Sequence, residues 1–303
     1  MANVTAAQMP IGPLSIDWSH PLAKDCCFCV PLNVGPATSY VPNLVDGRIG
    51  SQVSTTGNSV DTVTPYGPGL FLADDFDHAK ISFGTYQPIQ FTAVNANQAF
   101  TIIALANPAS SASQQPTLFS QRVQGNPQID LIMNSDRSSA TGRGGEFAVF
   151  LADGSGTQCG TDSGGSSFVD GNYHVFGCSH DGTSGTSAAQ VWFDGATVTS
   201  GTNASLTASL LASTQETTIS GLGGFTASTQ YDCGCNVVIV IAWNRLLSAD
   251  EHKLIAADPF IFLRFDDSPG GKSAAAAAFA YRKTLSSIGG RIGTRKLSLG
   301  WGG

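Results

Sequence analysis

The sequence predicts an all-β protein: an antiparallel two-sheet sandwich with one short C-terminal helix and an extended basic tail. Three observations carry that expectation. Only 12% of the 303 residues are charged, against about 25% in an ordinary globular chain. The chain holds six Lys and three Glu (Glu146, Glu216, Glu251), too few to clothe exposed helices, while Gly, Ser, Thr and Val are plentiful. Short apolar runs alternate with Gly, Pro, Asn and Asp along the body, which is how strands joined by turns read. No period of about 20 to 50 residues repeats, so solenoids and propellers lose their main support and one sandwich is the simpler architecture.

Residues 1–13 read as an N-terminal arm, 14–265 as the sandwich domain, and 266–303 as a linker and basic C-terminal arm. Phe100 to Leu105, Phe147 to Leu151 and Val237 to Trp243 are largely apolar at both alternate positions, so these strands are expected to be covered on both sides. The Ser- and Gly-rich stretches 153–167 and 181–187 read as loops. Asp181-Gly182 and Asp194-Gly195 read as hairpin turns, because both turn positions need positive φ. Ser248-Ala249-Asp250-Glu251 is a capping box, in which hydroxyl and carboxylate satisfy each other's orphan amides. The helix it starts is expected to run to Ala257, since Pro259 forbids continuation. Residues 266–271, Asp-Asp-Ser-Pro-Gly-Gly, then read as a hinge.

Charge divides sharply along the chain. Residues 272–303 carry Lys272, Arg282, Lys283, Arg291, Arg295 and Lys296 and no carboxylate, a charge of +6, whereas nine cations and 22 carboxylates leave the body at −13. Such a division predicts an acidic domain whose arm binds something else. Nucleic acid is disfavoured, because no aromatic ladder accompanies the cations and the body would repel phosphates. Docking on protein is the expectation, with Arg282, Lys283, Arg291, Arg295 and Lys296 against an acidic surface and Leu297, Leu299 and Trp301 as apolar anchors. No span approaches the roughly 18 consecutive apolar residues of a membrane helix, so no membrane partner is expected. No cation precedes Lys24 and no apolar h-region stands before it, which predicts synthesis and assembly in a cytoplasm.

Catalytic signatures are missing. Glu146 opens an apolar strand without a carboxylate partner at the spacing a glycosidase strand needs, and neither Gly-x-Ser-x-Gly nor His-Glu-x-x-His occurs. The expectation is no catalytic residue, no metal and no cofactor. The seven cysteines (Cys26, Cys27, Cys29, Cys159, Cys178, Cys233, Cys235) allow buried thiols, disulfides or zinc; buried thiols are favoured, since Cys-x-Cys is narrower than the usual zinc knuckle. Asp74, Asp75, Asp77 and His78 could ligate calcium, with a solvated turn as the favoured alternative. His174 reads as a structural side chain. Trp18, Tyr173 and Trp192 are available to a glycan, although each reads first as a core residue.

Several segments together resemble the laminin-G-like, concanavalin A-like jelly rolls of tailed-phage and prophage virion proteins. They are Ile16-Asp17-Trp18-Ser19-His20-Pro21-Leu22-Ala23, Asp170-Gly171-Asn172-Tyr173-His174-Val175, the Asp181-Gly182 turn, Val191-Trp192-Phe193-Asp194-Gly195, and Trp243 to Glu251 running into Asp258-Pro259-Phe260. The resemblance implies two antiparallel sheets packed face to face, with the first and last strands as neighbours. Neighbouring terminal strands would bring Cys26 to Cys29 close to Cys233 and Cys235 near one edge. It also implies a non-enzymatic structural protein of a tailed-bacteriophage virion, made in the bacterial host cytoplasm. The expected role is capsid decoration or a head or neck appendage, with capsid, neck or tail subunits as partners and a homo-oligomeric state. The alternative is a receptor-binding tail or fibre protein that holds host-surface carbohydrate through contacts the sequence leaves unassigned.

Overall fold

The fold is taken from a computed structural model that describes residues 14–32, 40–53, 60–72, 80–89, 98–108, 117–123, 126–135, 146–152, 158–162, 170–182, 189–199, 201–202, 216–221 and 235–265. In chain order the strands are β1 (Leu14–Ile16), β2 (Cys26–Pro31), β3 (Tyr40–Pro42), β4 (Ile49–Val53), β5 (Val60–Thr64), β6 (Gly67–Leu72), β7 (Lys80–Ser82), β8 (Phe100–Pro108), β9 (Thr117–Val123) and β10 (Asn126–Ser135). They continue with β11 (Glu146–Ala152), β12 (Gln158–Asp162), β13 (His174–His180), β14 (Ala189–Phe193), β15 (Ala196–Thr197), β16 (Gly201–Thr202), β17 (Thr217–Ile219), β18 (Cys235–Trp243) and β19 (Leu263–Phe265). One α-helix, α1 (Ala249–Ala257), and a 3-10 turn at Pro21–Ala23 complete the described elements.

The chain is an all-β antiparallel jelly-roll sandwich. One sheet runs β15-β14-β13-β8-β18-β6-β5 with β2 also on β18, and the other runs β16-β12-β11-β10-β9-β17-β7-β4-β3. β2 and β6 share one edge of β18: β6 pairs Cys235 to Val237, and β2 pairs Ile239 to Trp243. As expected for neighbouring terminal strands, β1 pairs β19 with Leu14 opposite Phe265.

The inter-sheet core joins Phe28, Val30, Phe100, Ile102, Ala104, Phe176, Val191, Val237 and Val240 to Ile81, Phe119, Val149 and Ile219 of the facing sheet. A second apolar layer lies on the outer face of the β8–β18 sheet, where Ile103, Leu105, Val238, Ile239, Ile241 and Trp243 meet Leu14, Ile16, Leu22, Leu247, Ile255, Phe260 and Phe262. Double coverage is why β8 and β18 are apolar at both parities. The register of β18 on β8 slips between Val237 and Ile239. That bulge lets Val237 face the inter-sheet core while Val238 and Ile239 both enter the outer layer. Each fully buried aliphatic or aromatic side chain contributes roughly 1.5–3 kcal/mol.

The helix forms as its cap dictates. Ser248 Oγ accepts from Glu251 N and Glu251 Oε2 accepts from Ser248 N, and α1 ends at Ala257 before Pro259. Arg245 adds a two-pronged ion pair to Glu251, at 2.7 and 3.0 Å, tying the end of β18 to the first turn of the helix.

Four expectations need correction. Asp194-Gly195 is the tight turn expected, with φ of 47° and 78°. Asp181-Gly182 is not, since β13 and β14 pair His180 with Ala189 across an eight-residue connection and only Gly182 takes positive φ. Cys26 to Cys29 do not meet Cys235, and Cys233 lies outside the described residues. β2 does pair β18, antiparallel as expected, but in a register that sets Cys29 opposite Ile241 and Cys26 opposite Trp243. Cys235 stands six residues along from Ile241, about 20 Å at the rise of an extended strand, and instead faces Leu72 and Pro108. Nor are all the thiols free: Cys26, Cys27, Cys29 and Cys178 are, but Cys235 is disulfide-bonded, to a partner outside those four. Trp18 is not a core residue. It is 54% exposed, because Asp17 folds the chain outward by accepting from both the amide and the hydroxyl of Ser19.

Candidate functional site

Three loops distant in sequence meet at the margin of the outer apolar layer. The β5–β6 turn brings Tyr66, the approach to β13 brings Asp170 to His174, and the β14–β15 turn brings Asp194. Tyr66 and Tyr173 pack edge to face with ring centroids 5.7 Å apart, and Tyr66 meets Phe260 at 6.4 Å. Both tyrosines are half-buried, resting on the layer below while their outer surfaces remain open.

His174 joins the two acidic loops. Its Nδ1 lies 2.8 Å from Asp194 Oδ2 and its Nε2 3.1 Å from Asp170 Oδ1. Asp194 Oδ1 also accepts from Val175 N at 2.8 Å, so the turn residue is held at both carboxylate oxygens. Asp170 accepts from the backbone and side-chain amides of Asn172, each at 2.8 Å. These hydrogen bonds, with the smaller contribution of His174, hold its carboxyl down to about 2. Asn107 Nδ2 donates to Gly171 O at 2.9 Å and fixes the loop to β8. Burial raises the Tyr66 phenol, aided by the negative charge of Asp194. Burial beside Tyr66 pushes Tyr173 up to about 12.

The expected structural role of His174 is therefore observed, and the histidine organises a rim of two phenol rings, two carboxylates and two amides. Such a rim can offer flat apolar faces with hydrogen-bond acceptors beside them. It is poorly built for glycoside hydrolysis. The carboxylates of Asp170 and Asp194 stand on opposite sides of one imidazole, which fills the gap a scissile bond would need. A general acid needs a raised carboxyl, and Asp170 is lowered.

Of the residues singled out for a glycan, Tyr173 lies in this rim, whereas Trp192 is buried beneath α1 and Trp18 belongs to the β1 end. Sequence reasoning missed Tyr66 and the pairing of His174 with Asp194. A signal existed for the pairing, because an Asp at the first position of a positive-φ turn has side-chain acceptors to give to an adjacent strand. Asp74, Asp75, Asp77 and His78, the side chain of Glu146, and the arm residues Arg282, Lys283, Arg291, Arg295, Lys296, Leu297, Leu299 and Trp301 lie outside the described residues. Among the described residues no group of three or more His, Cys, Asp or Glu is placed to hold a metal ion.

A second polar feature lies on the outer face of the other sheet. Lys80, its side chain 7% exposed, is ion-paired with Glu216, which also accepts from the Ser82 hydroxyl. Ser51, Ser82, Thr218 and Ser120 follow one another across four strands at paired positions, with Thr218 and Ser120 fully buried.

No protein-family model and no curated protein matches the chain. Solved structures do. The chain is similar to the binding domain of Paraclostridial Mosquitocidal Protein 1, with a TM-score of 0.56 and 10% identity over 79% of this chain and 53% of that one. It is similar to the binding domain of botulinum neurotoxin serotype G, with a TM-score of 0.53 and 10% identity over 76% of this chain and 50% of that one. Domain 4 of AbnA, a GH43 extracellular arabinanase from Geobacillus stearothermophilus solved in complex with arabinotriose, gives a TM-score of 0.52 and 12% identity over 77% of this chain and 98% of that one. The chain thus spans about half the length of the two toxin domains and nearly all of the arabinanase domain. At these identities the likeness is one of fold.

Proposed function

We propose that this chain is a non-enzymatic binding protein that holds surface carbohydrate at the rim formed by Tyr66, Tyr173, Asp170 and Asp194. The observation that carries the reading is the meeting of two half-exposed tyrosines with fixed carboxylates at a loop margin of a sandwich. A sugar ring has C–H faces that suit a phenol and hydroxyls that suit carboxylate acceptors, so one small patch offers both chemistries. A neighbour of similar fold, domain 4 of the arabinanase, was solved with arabinotriose, and this supports the choice of ligand class.

The test is a glycan array probed with the whole chain, followed by titration of any glycan retained. Tyr66→Ala and Tyr173→Ala are each expected to weaken binding at least tenfold with the circular dichroism spectrum unchanged. Absence of any retained glycan, or equal affinity in both variants, would refute the site.

A second reading places the domain on a tailed-phage particle as capsid decoration or a head or neck appendage, anchored by residues 272–303. Its support is the charge division between arm and body together with the pairing of Leu14 and Phe265, which starts both arms from one place. Recovery of the chain in purified particles is its test, and absence from them would remove it.

A further inference from the structure

Helix α1 is held to the sandwich by a histidine that has no means of carrying charge where it lies. His252 is 2% exposed, and its imidazole stacks on the Trp192 indole with centroids 3.8 Å apart and planes within 8°. Trp192 is fixed from below by its own Nε1, which donates to Ser179 Oγ at 2.9 Å. The Nε2 atom of His252 is buried without a hydrogen-bond partner. On the other flank of the contact, Gly195 sits so close to α1 that a Cβ there would lie 2.8 Å from Lys253 Cα and 3.1 Å from His252 O. The helix is therefore seated by contact on both sides.

The charges around the ring are already committed. On α1 itself, Glu251 is spent on Arg245 and the Ser248 amide, and Lys253 pairs with Asp250. On the β14–β15 turn, Asp194 is held by His174 and the Val175 amide. β13 offers the neutral Ser179 hydroxyl. The ring also lies in the first turns of α1, where the helix dipole opposes a cation. An imidazolium would gain something from the indole face, but less than burial of an unpaired charged N–H loses. Burial accordingly pulls the His252 imidazole down to about 4, against a smaller upward pull from Glu251.

We propose that α1 is an acid-released clasp: protonation of His252 lifts the helix from Trp192 and Gly195 and loosens the Asp258 to Phe260 segment that follows, withdrawing Phe260 from Tyr66. This stands whether or not the rim binds sugar. The rest of the sandwich stays closed, because β8 and β18 are bonded on both sides and do not depend on the helix for their pairing.

The test is amide hydrogen exchange of the full chain at pH 6.5 and pH 4.5, corrected for the intrinsic pH dependence of exchange, with NMR titration of the His252 ring. Protection of α1 is expected to fall at least tenfold at the lower pH while β8 and β18 keep theirs, and the ring to titrate below pH 5. His252→Phe, which keeps a stacking ring, and His252→Gln, which keeps a polar but uncharged side chain, should both abolish the fall. His180→Phe should leave it intact and so separate the clasp from the other buried histidine, which stacks on Phe100 instead. A ring titrating near 6.5, a fall that survives in both His252 variants, or opening of α1 only together with β8 and β18 would overturn the proposal.

Discussion

Leu14 and Phe265 are directly opposed partners in the β1–β19 ribbon, so the chain enters and leaves the sandwich about 5 Å apart. Residues 14 and 265, where the described sandwich begins and ends, therefore lie side by side.

Deleting residues 272–303 is therefore expected to leave the folded domain intact. The truncated chain should keep its unfolding free energy within about 0.5 kcal/mol, as for changes away from packed features. It should also lose salt-sensitive retention on an acidic protein surface, since six cations are screened over roughly 8 Å at physiological ionic strength. Urea titration and a column of immobilised acidic protein read the two outcomes. A truncated chain that fails to fold, or is retained as well as the full chain, contradicts the division into body and arm.

Gly195→Ala should cost about 2–4 kcal/mol, combining the positive-φ penalty with overpacking. Its φ is +78° and the added Cβ would lie 3.0 Å from Ala256 Cβ. Gly47 has nearly the same φ, +74°, but an added Cβ meets nothing within 4 Å. Gly47→Ala should thus cost only the backbone part, about 1–2 kcal/mol. Equal losses in urea unfolding would remove the close approach of turn and helix.

The described thiols should be inert in the native protein. Burial pushes Cys26 up to about 12 and raises Cys27, Cys29 and Cys178 further from the thiolate form. Iodoacetamide at pH 8 should leave all four unmodified until urea is added, whereas Cys235 should stay unlabelled in urea until a reductant is present. Peptide mass spectrometry reads each position. Rapid native labelling of Cys29 would contradict its burial, and labelling of Cys235 without reductant would contradict its disulfide.

The parts of the fold legible in the sequence were those set by local chemistry. Ser248 and Glu251 announce the helix because both capping bonds lie within one turn, and Asp194-Gly195 announces its turn because both residues tolerate positive φ. Strands β8 and β18 announce double coverage by being apolar at both parities. What the sequence hid depended on register and distance. Antiparallel pairing of the cysteine-bearing strands was expected, yet the register that sets Cys29 opposite Ile241 carries Cys235 away from Cys29. Asp181-Gly182 has turn residues without a turn that short, since the pairing of the strands it joins ends at His180 and Ala189, eight residues of connection apart. Nothing local singles out Tyr66, because its place in the rim comes from Tyr173, a neighbour supplied by tertiary packing alone.

The place of β18 in the chain also governs how the protein must be made. This strand is the axis on which β2, β6 and β8 assemble, yet it leaves the ribosome after all three of them. Until residue 243 has emerged, the nascent chain carries three apolar strands whose bonding edges have no partner, the state most open to pairing with other chains. Completion also requires contacts between remote positions, which makes closure slow. Yield in a cell is thus expected to depend on how well the unfinished chain is shielded during synthesis, rather than on the stability of the finished sandwich.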